Sequence, residues 1–247
     1  MNASASRLGA VALWAIIGTL ASLAAEDVVI QKDGQRREGE ILGIAGEKLK
    51  IKIGPAETSL QMDQVGTVTK APPKVYDEAL KAWQDGNANK TLDLLKPLVD
   101  AFRGLPTDWA ERASALLAEV YLSLDQLPAA EAALAEFAKA YPNATSLTEL
   151  GRARLAVSKK DFGSAKKTLA PLVAEAEKVL VARATKGATY GQAFYLMGIV
   201  YENDGDYSEA LRHYLSAVTL FRNDEAIVAK AKERAELLVK EKEVIVP

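Results

Sequence analysis

Between Ala193 and Val218 the chain reads AFYLMGIVY, then ENDGDYSEA, then LRHYLSAV. Apolar residues recur at helical spacing on both sides of Asp204-Gly205-Asp206, so two short amphipathic helices reverse direction at that turn. Gly198 on the first helix and Ala210 on the second allow close backbone approach. Phe194, Met197, Tyr201, Tyr214 and Ala217 fill the space around the contact. A pair this short cannot bury its apolar face alone, which obliges the chain to supply similar units. Three other stretches fit. Leu127-Pro128-Ala129-Ala130 is preceded by Ala118 and Tyr121, followed by Leu134 and Phe137, and closed by Pro142. Asp161-Phe162-Gly163-Ser164-Ala165 repeats the DYSEA turn closely, with Leu169 and Leu172 behind it. Gly86-Asn87-Ala88-Asn89-Lys90-Thr91 is the poorest copy, with Thr91 in the alanine position and Leu95 and Leu98 on the apolar face. The key positions Thr91, Ala130, Ala165 and Ala210 lie 39, 35 and 45 residues apart (130−91, 165−130, 210−165).

This pattern resembles the tetratricopeptide repeat, a 34-residue helix–turn–helix unit that stacks into an α-solenoid. The resemblance is closest over 191–222, good over 111–142, and weaker over 146–180 and 72–104. An ordinary helical bundle rich in Ala and Leu is the competing reading. The resemblance implies structural roles for Ala130, Ala165, Gly198, Tyr201 and Ala210. It also implies that the first helix of each repeat lines a concave groove. Carrying the register over from Ala79, Ala118, Ala153 and Gly198 places Tyr76, Leu80 and Trp83 there, then Arg112, Glu119 and Leu122. Leu150, Arg154 and Val157 follow, and Gln192, Tyr195, Ile199, Glu202 and Asn203 complete the set. Aromatic anchors with a few charges suit an extended peptide or a helix laid in a groove. The lysine and asparagine clamp by which some members hold a C-terminal carboxylate is missing from these positions.

From Asp27 to Lys70 the period changes to two. Leu49, Ile51 and Ile53 alternate with Lys48, Lys50 and Lys52, and apolar runs at Val28–Ile30, Ile41–Ile44, Thr58–Met62 and Val65–Val68 are separated by Asp33-Gly34, Ala45-Gly46 and Gly54-Pro55. Five short strands in this span resemble a small SH3-like or Sm-like barrel. Basic and acidic side chains cancel over residues 26–74, and no aromatic residue lies there to stack a base, so the segment argues against nucleic acid. A module so small is expected to pack on the helices or on a second copy. Ala71-Pro72-Pro73 reads as a stiff linker.

Before the strands, a single charge at Arg7 precedes an uncharged run from Leu8 to Ala25, and Ser22-Leu23-Ala24 offers a small-x-small cleavage site. This predicts a signal peptide over 1–24 and export to the periplasm or cell envelope; an uncleaved segment would instead anchor the chain at the inner membrane. After Asn223, taken as a cap, residues 224–243 form an amphipathic helix with Ile227, Ala231, Ala235 and Leu238 on one stripe, suited to covering the last repeat. The apolar Val244-Ile245-Val246 has no clear assignment. The expected organisation is therefore a signal peptide (1–24), a five-stranded barrel (26–70), a linker (71–74), about four helical repeats (75–222) and a capping helix with tail (223–247): mostly α, with a β module in front.

Charge is balanced, 31 Lys+Arg against 33 Asp+Glu, and there is no cysteine. That excludes disulfides, thiol nucleophiles and cysteine-ligated metals. No phosphate loop, dinucleotide fingerprint or nucleophile elbow is present. His213, the one histidine, falls on a second helix, which faces outward in such arrays, and is expected as a surface or partly packed residue rather than as a general base. The reading is a non-catalytic, cofactor-free scaffold that binds a protein or peptide. The alternative is a structural subunit that self-associates through the barrel and the repeat ends.

Overall fold

A computed structural model describes residues 27–179, 184–222 and 224–244. The expected signal peptide, Asn223 and Ile245–Pro247 lie outside them. Strands β1 (Asp27–Gln31), β2 (Arg36–Ala45), β3 (Lys48–Ile53), β4 (Ala56–Gln61) and β5 (Val65–Thr69) form an antiparallel sheet of order β4-β3-β2-β1-β5. Alternation places Leu49 and Ile51 fully inside while Lys48, Lys50 and Lys52 face solvent. Met62, expected in the fourth strand, begins a 3-10 turn (Met62–Gln64): its N–H still bonds the Glu47 carbonyl, but its own carbonyl accepts from the Val65 N–H and closes the turn.

Strand β2 serves both halves of the sheet. Arg36–Gly39 pairs with β1, Glu40–Ala45 pairs with β3, and the register shifts between Ile41 and Gly43. Gly43 has φ 145°, and a Cβ there would lie 2.5 Å from the Ala101 carbonyl oxygen. Only glycine lets the strand bend and the first helix pair lie against it.

Nine helices follow among the described residues. They are α1 (Lys74–Gln84), α2 (Ala88–Phe102), α3 (Asp108–Ser123), α4 (Leu127–Ala140), α5 (Thr145–Ser158), α6 (Phe162–Ala176), α7 (Ala184–Asn203), α8 (Tyr207–Thr219) and α9 (Glu225–Lys242). The first eight form four sequential pairs, α1/α2, α3/α4, α5/α6 and α7/α8. The turns within the pairs are copies of one another. Gly86, Asp125, Lys160 and Gly205 all have positive φ (73°, 56°, 58° and 78°). In each pair the next residue's N–H bonds five residues back: Asn87 to Ala82, Gln126 to Tyr121, Asp161 to Ala156 and Asp206 to Tyr201, at 2.8–3.0 Å. Asn87, Asp161 and Asp206 then cap the second helix with their side chains. The second pair has Gln126 there and carries Pro128 in the first turn of α4 instead.

The key positions of the second helices, Thr91, Ala130, Ala165 and Ala210, are all fully buried. Thr91 fits because its hydroxyl donates to the Asn87 carbonyl. Gly198 is required for a different reason: a Cβ there would overlap the Tyr214 ring on α8.

The sheet and α1–α3 share one core, in which Val29, Ile41 and Ile51 meet Tyr76, Leu95 and Trp109. Trp109 donates its ring N–H to the Lys70 carbonyl at 2.9 Å, and the Lys70 ammonium pairs with Asp27 at 2.7 Å, both side chains 12% exposed. The proline linker is thus pinned, with Pro73 extended (φ −63°, ψ 148°) immediately before α1. A second large core spans α5–α9, and a small cluster of Ala118, Ala130, Leu134 and Leu155 bridges the two. The last helix starts from Asp224, whose carboxylate accepts from the Ile227 N–H; the sequence pointed one residue earlier.

His213 corrects the sequence reading. It is 2% exposed, stacked on Tyr201 (5.1 Å, 13°) and tilted against Phe194 (5.5 Å), which itself stacks on Phe221 (5.3 Å). Lys166 of α6 caps this column, 4.2 Å above the Tyr201 ring. A second helix faces outward only on the side away from its partner, and His213 lies on the inner side.

Candidate groove

The first helices also touch one another across the pairs, α3 against α5, α5 against α7 and α7 against α9. They form an inner layer with two adjoining cavities that share Glu119 and Gln192. The narrower cavity, about 400 Å³, is lined by Trp83 of α1, Glu119 and Leu122 of α3, Arg154 and Val157 of α5, and Gln192 and Tyr195 of α7. Side chains drawn from four separate helix pairs thus converge on one space. Arg112 lines the wider cavity, about 810 Å³, together with Asp108, Glu111, Leu116 and Leu147.

Other groove candidates are placed elsewhere. Tyr76 is buried with its ring 6.0 Å from Trp109 of α3, inside the core that α1–α3 share with the sheet. Asn203 is exposed at the C-terminal end of α7 and lines neither cavity. Leu150 is core at 2% exposure, while Leu80 and Ile199 pack against the two large cores. Glu202 is held by other helices: it accepts from the Tyr214 hydroxyl (2.8 Å) and from Arg234 of α9 (2.6 and 3.2 Å). The structural residues Ala130, Ala165, Gly198, Tyr201 and Ala210 all sit at helix-pair contacts.

The helix α9 supplies residues that the register did not reach. Asp224, Ile227 and Lys230 line the narrower cavity opposite Trp83. A signal for them existed: Ala231 follows Gly198 by 33 residues (231−198), close to the repeat period, and is fully buried like the corresponding Ala79, Ala118 and Ala153. The cap is therefore also a fifth inner helix.

Most charges in the narrower cavity are spoken for. Arg154 pairs with Glu119, and Gln192 donates to Asp224 at 2.6 Å. Burial raises the Tyr195 phenol, which stays protonated as a donor. In the wider cavity burial raises the Glu111 carboxyl, with Asp108 adding to the effect. His213 lines neither cavity. Among the described residues no group of His, Asp and Glu is arranged to hold a metal ion, and no helix is long and apolar enough to cross a membrane. Comparison with family models, curated proteins and solved structures gives no match.

Proposed function

We propose that this chain is a non-catalytic scaffold of the tetratricopeptide type, exported to the cell envelope, that holds a segment of a partner protein in its concave groove. Four copies of one helix–turn–helix geometry, spaced 39, 35 and 45 residues apart, support the repeat reading. The uncharged run Leu8–Ala25 with its Ser22-Leu23-Ala24 site supports export. The observation that carries the binding reading is the meeting of Trp83, Glu119, Arg154 and Tyr195, one from each repeat, in a single cavity. Aromatic and guanidinium groups around a partly apolar floor are the side chains that dominate binding energy in protein interfaces.

The test is crosslinking capture from envelope fractions with the mature chain and with Trp83→Ala/Tyr195→Ala. The expected result is a partner captured by the first and lost with the second, while far-UV circular dichroism shows both folded at the assay temperature. Equal capture by both would overturn the groove assignment. A second reading, a self-associating subunit, draws on exposed Leu220 (69%), Leu237 (38%) and Val239 (41%) near the C-terminal end. It predicts only self-crosslinks, unchanged by the double substitution.

A further inference from the structure

The wider cavity is charged differently from the narrower one. Asp108 and Glu111 stand one turn apart at the start of α3, both on its wall, and neither has an ion-pair partner among the described residues. Glu119 at the shared edge is already neutralised by Arg154. That leaves two carboxylates against one guanidinium, Arg112, above an apolar wall that includes the half-buried Leu116 and Leu147. Acidic residues in a first turn also favour the helix dipole, and exposed Asp108 needs no other account. Glu111 does. It is half-buried, and its desolvation together with the neighbouring Asp108 disfavours its charge by more than Arg112 favours it. An incoming cation would relieve both carboxylates at once, while the leucines offer a seat for an apolar neighbour.

We infer that this half of the groove takes a segment of polypeptide in which a lysine or arginine adjoins a large apolar residue, its cation against Asp108 and Glu111 and its apolar side chain on Leu116 and Leu147. The inference rests on the groove being the binding surface, and it names the chemistry of the occupant.

The experiment selects binders from a displayed library of random peptides on the intact mature chain. It is repeated on Asp108→Asn/Glu111→Gln, which keeps side-chain volumes, and on Trp83→Ala/Tyr195→Ala. The strongest peptide is then synthesised with its basic residue as Lys, Gln or Glu and titrated by fluorescence anisotropy. Selected sequences should be enriched in Lys or Arg beside Leu, Ile or Phe. The Lys peptide should bind about tenfold tighter than the Glu peptide at low salt, and the amide variant should bring the two within about twofold. Binders that depend on Trp83 and Tyr195 but show no basic preference, or a preference that survives the amide variant, would overturn this inference and leave the groove standing. Binders indifferent to both double substitutions, or none at all, would overturn the groove reading and this inference with it.

Discussion

His213 illustrates what a residue's position on a helix hides. Its spacing placed it on a second helix, but which side of that helix faces α7 depends on the packing angle. Enclosure between Phe194 and Tyr201, with Arg212 adjacent, lowers its pKa to about 4; Glu209 opposes this, and Lys166 adds a smaller downward push. The neutral ring is therefore the native form, and stability is complete above the unfolded-state value near 6.5. Between about 6.5 and 4 the unfolded chain takes up a proton that the folded chain refuses, so stability falls with falling pH. The loss from this group approaches about 3 kcal/mol below pH 4. Urea midpoints at pH 7 and pH 5 check this: His213→Leu should show a shallower decline than the parent, and parallel declines would show that His213 is not the cause. Tyr76 failed for a similar reason. Its burial comes from the Trp109 ring on α3 and from the core that α1–α3 share with the sheet, tertiary facts that no local pattern carries.

At the level of helices, the close pairs and their turns were legible because small residues and turn formers leave a direct trace in sequence. Gly198 and Ala210 mark a close helix contact, and the DGD turn marks the positive-φ reversal between the two helices. Gly198→Ala tests this in one atom. The added methyl overlaps the Tyr214 ring, so a net loss of about 1–3 kcal/mol is expected despite the roughly 1 kcal/mol that alanine offers a helix interior. Gly163→Ala is the control. There the nearest atom is Asp161 Oδ1 at 3.9 Å, and the same change should be neutral or stabilising. A loss at Gly163 equal to that at Gly198 would remove packing as the explanation. The inner role of α9 was harder to read. Ile227 and Ala231 spell an amphipathic helix, but the same stripe serves a cap and a groove wall. Glu202 and Arg234 were invisible as partners because 32 residues separate them.

Across the whole molecule, the sheet is part of the helical array. Lys70 and Asp27 are largely withdrawn from water, so Lys70→Met leaves a carboxylate without its cation and should cost about 3 kcal/mol. The lesion falls in the core shared by the sheet and α1–α3, while α5–α9 have a core of their own joined through a small cluster. Repeat arrays couple mainly between neighbours. Fluorescence from Trp83 and Trp109 should therefore lose its native signal at lower urea than far-UV circular dichroism in this variant. Coincident, equally shifted curves would show that the two cores unfold as one.

The two ends of the helical stack are closed by unlike materials, a bent sheet held through Gly43 at one and the single helix α9 at the other. The two closures are unequal: the sheet shares a core with α1–α3, whereas α9 leaves Leu237 and Val239 exposed to solvent. Within the stack, α3/α4 and α5/α6 meet like neighbours, so a duplicated pair set between them would find a matching surface on both sides and would lengthen the groove while the sheet stayed where it is.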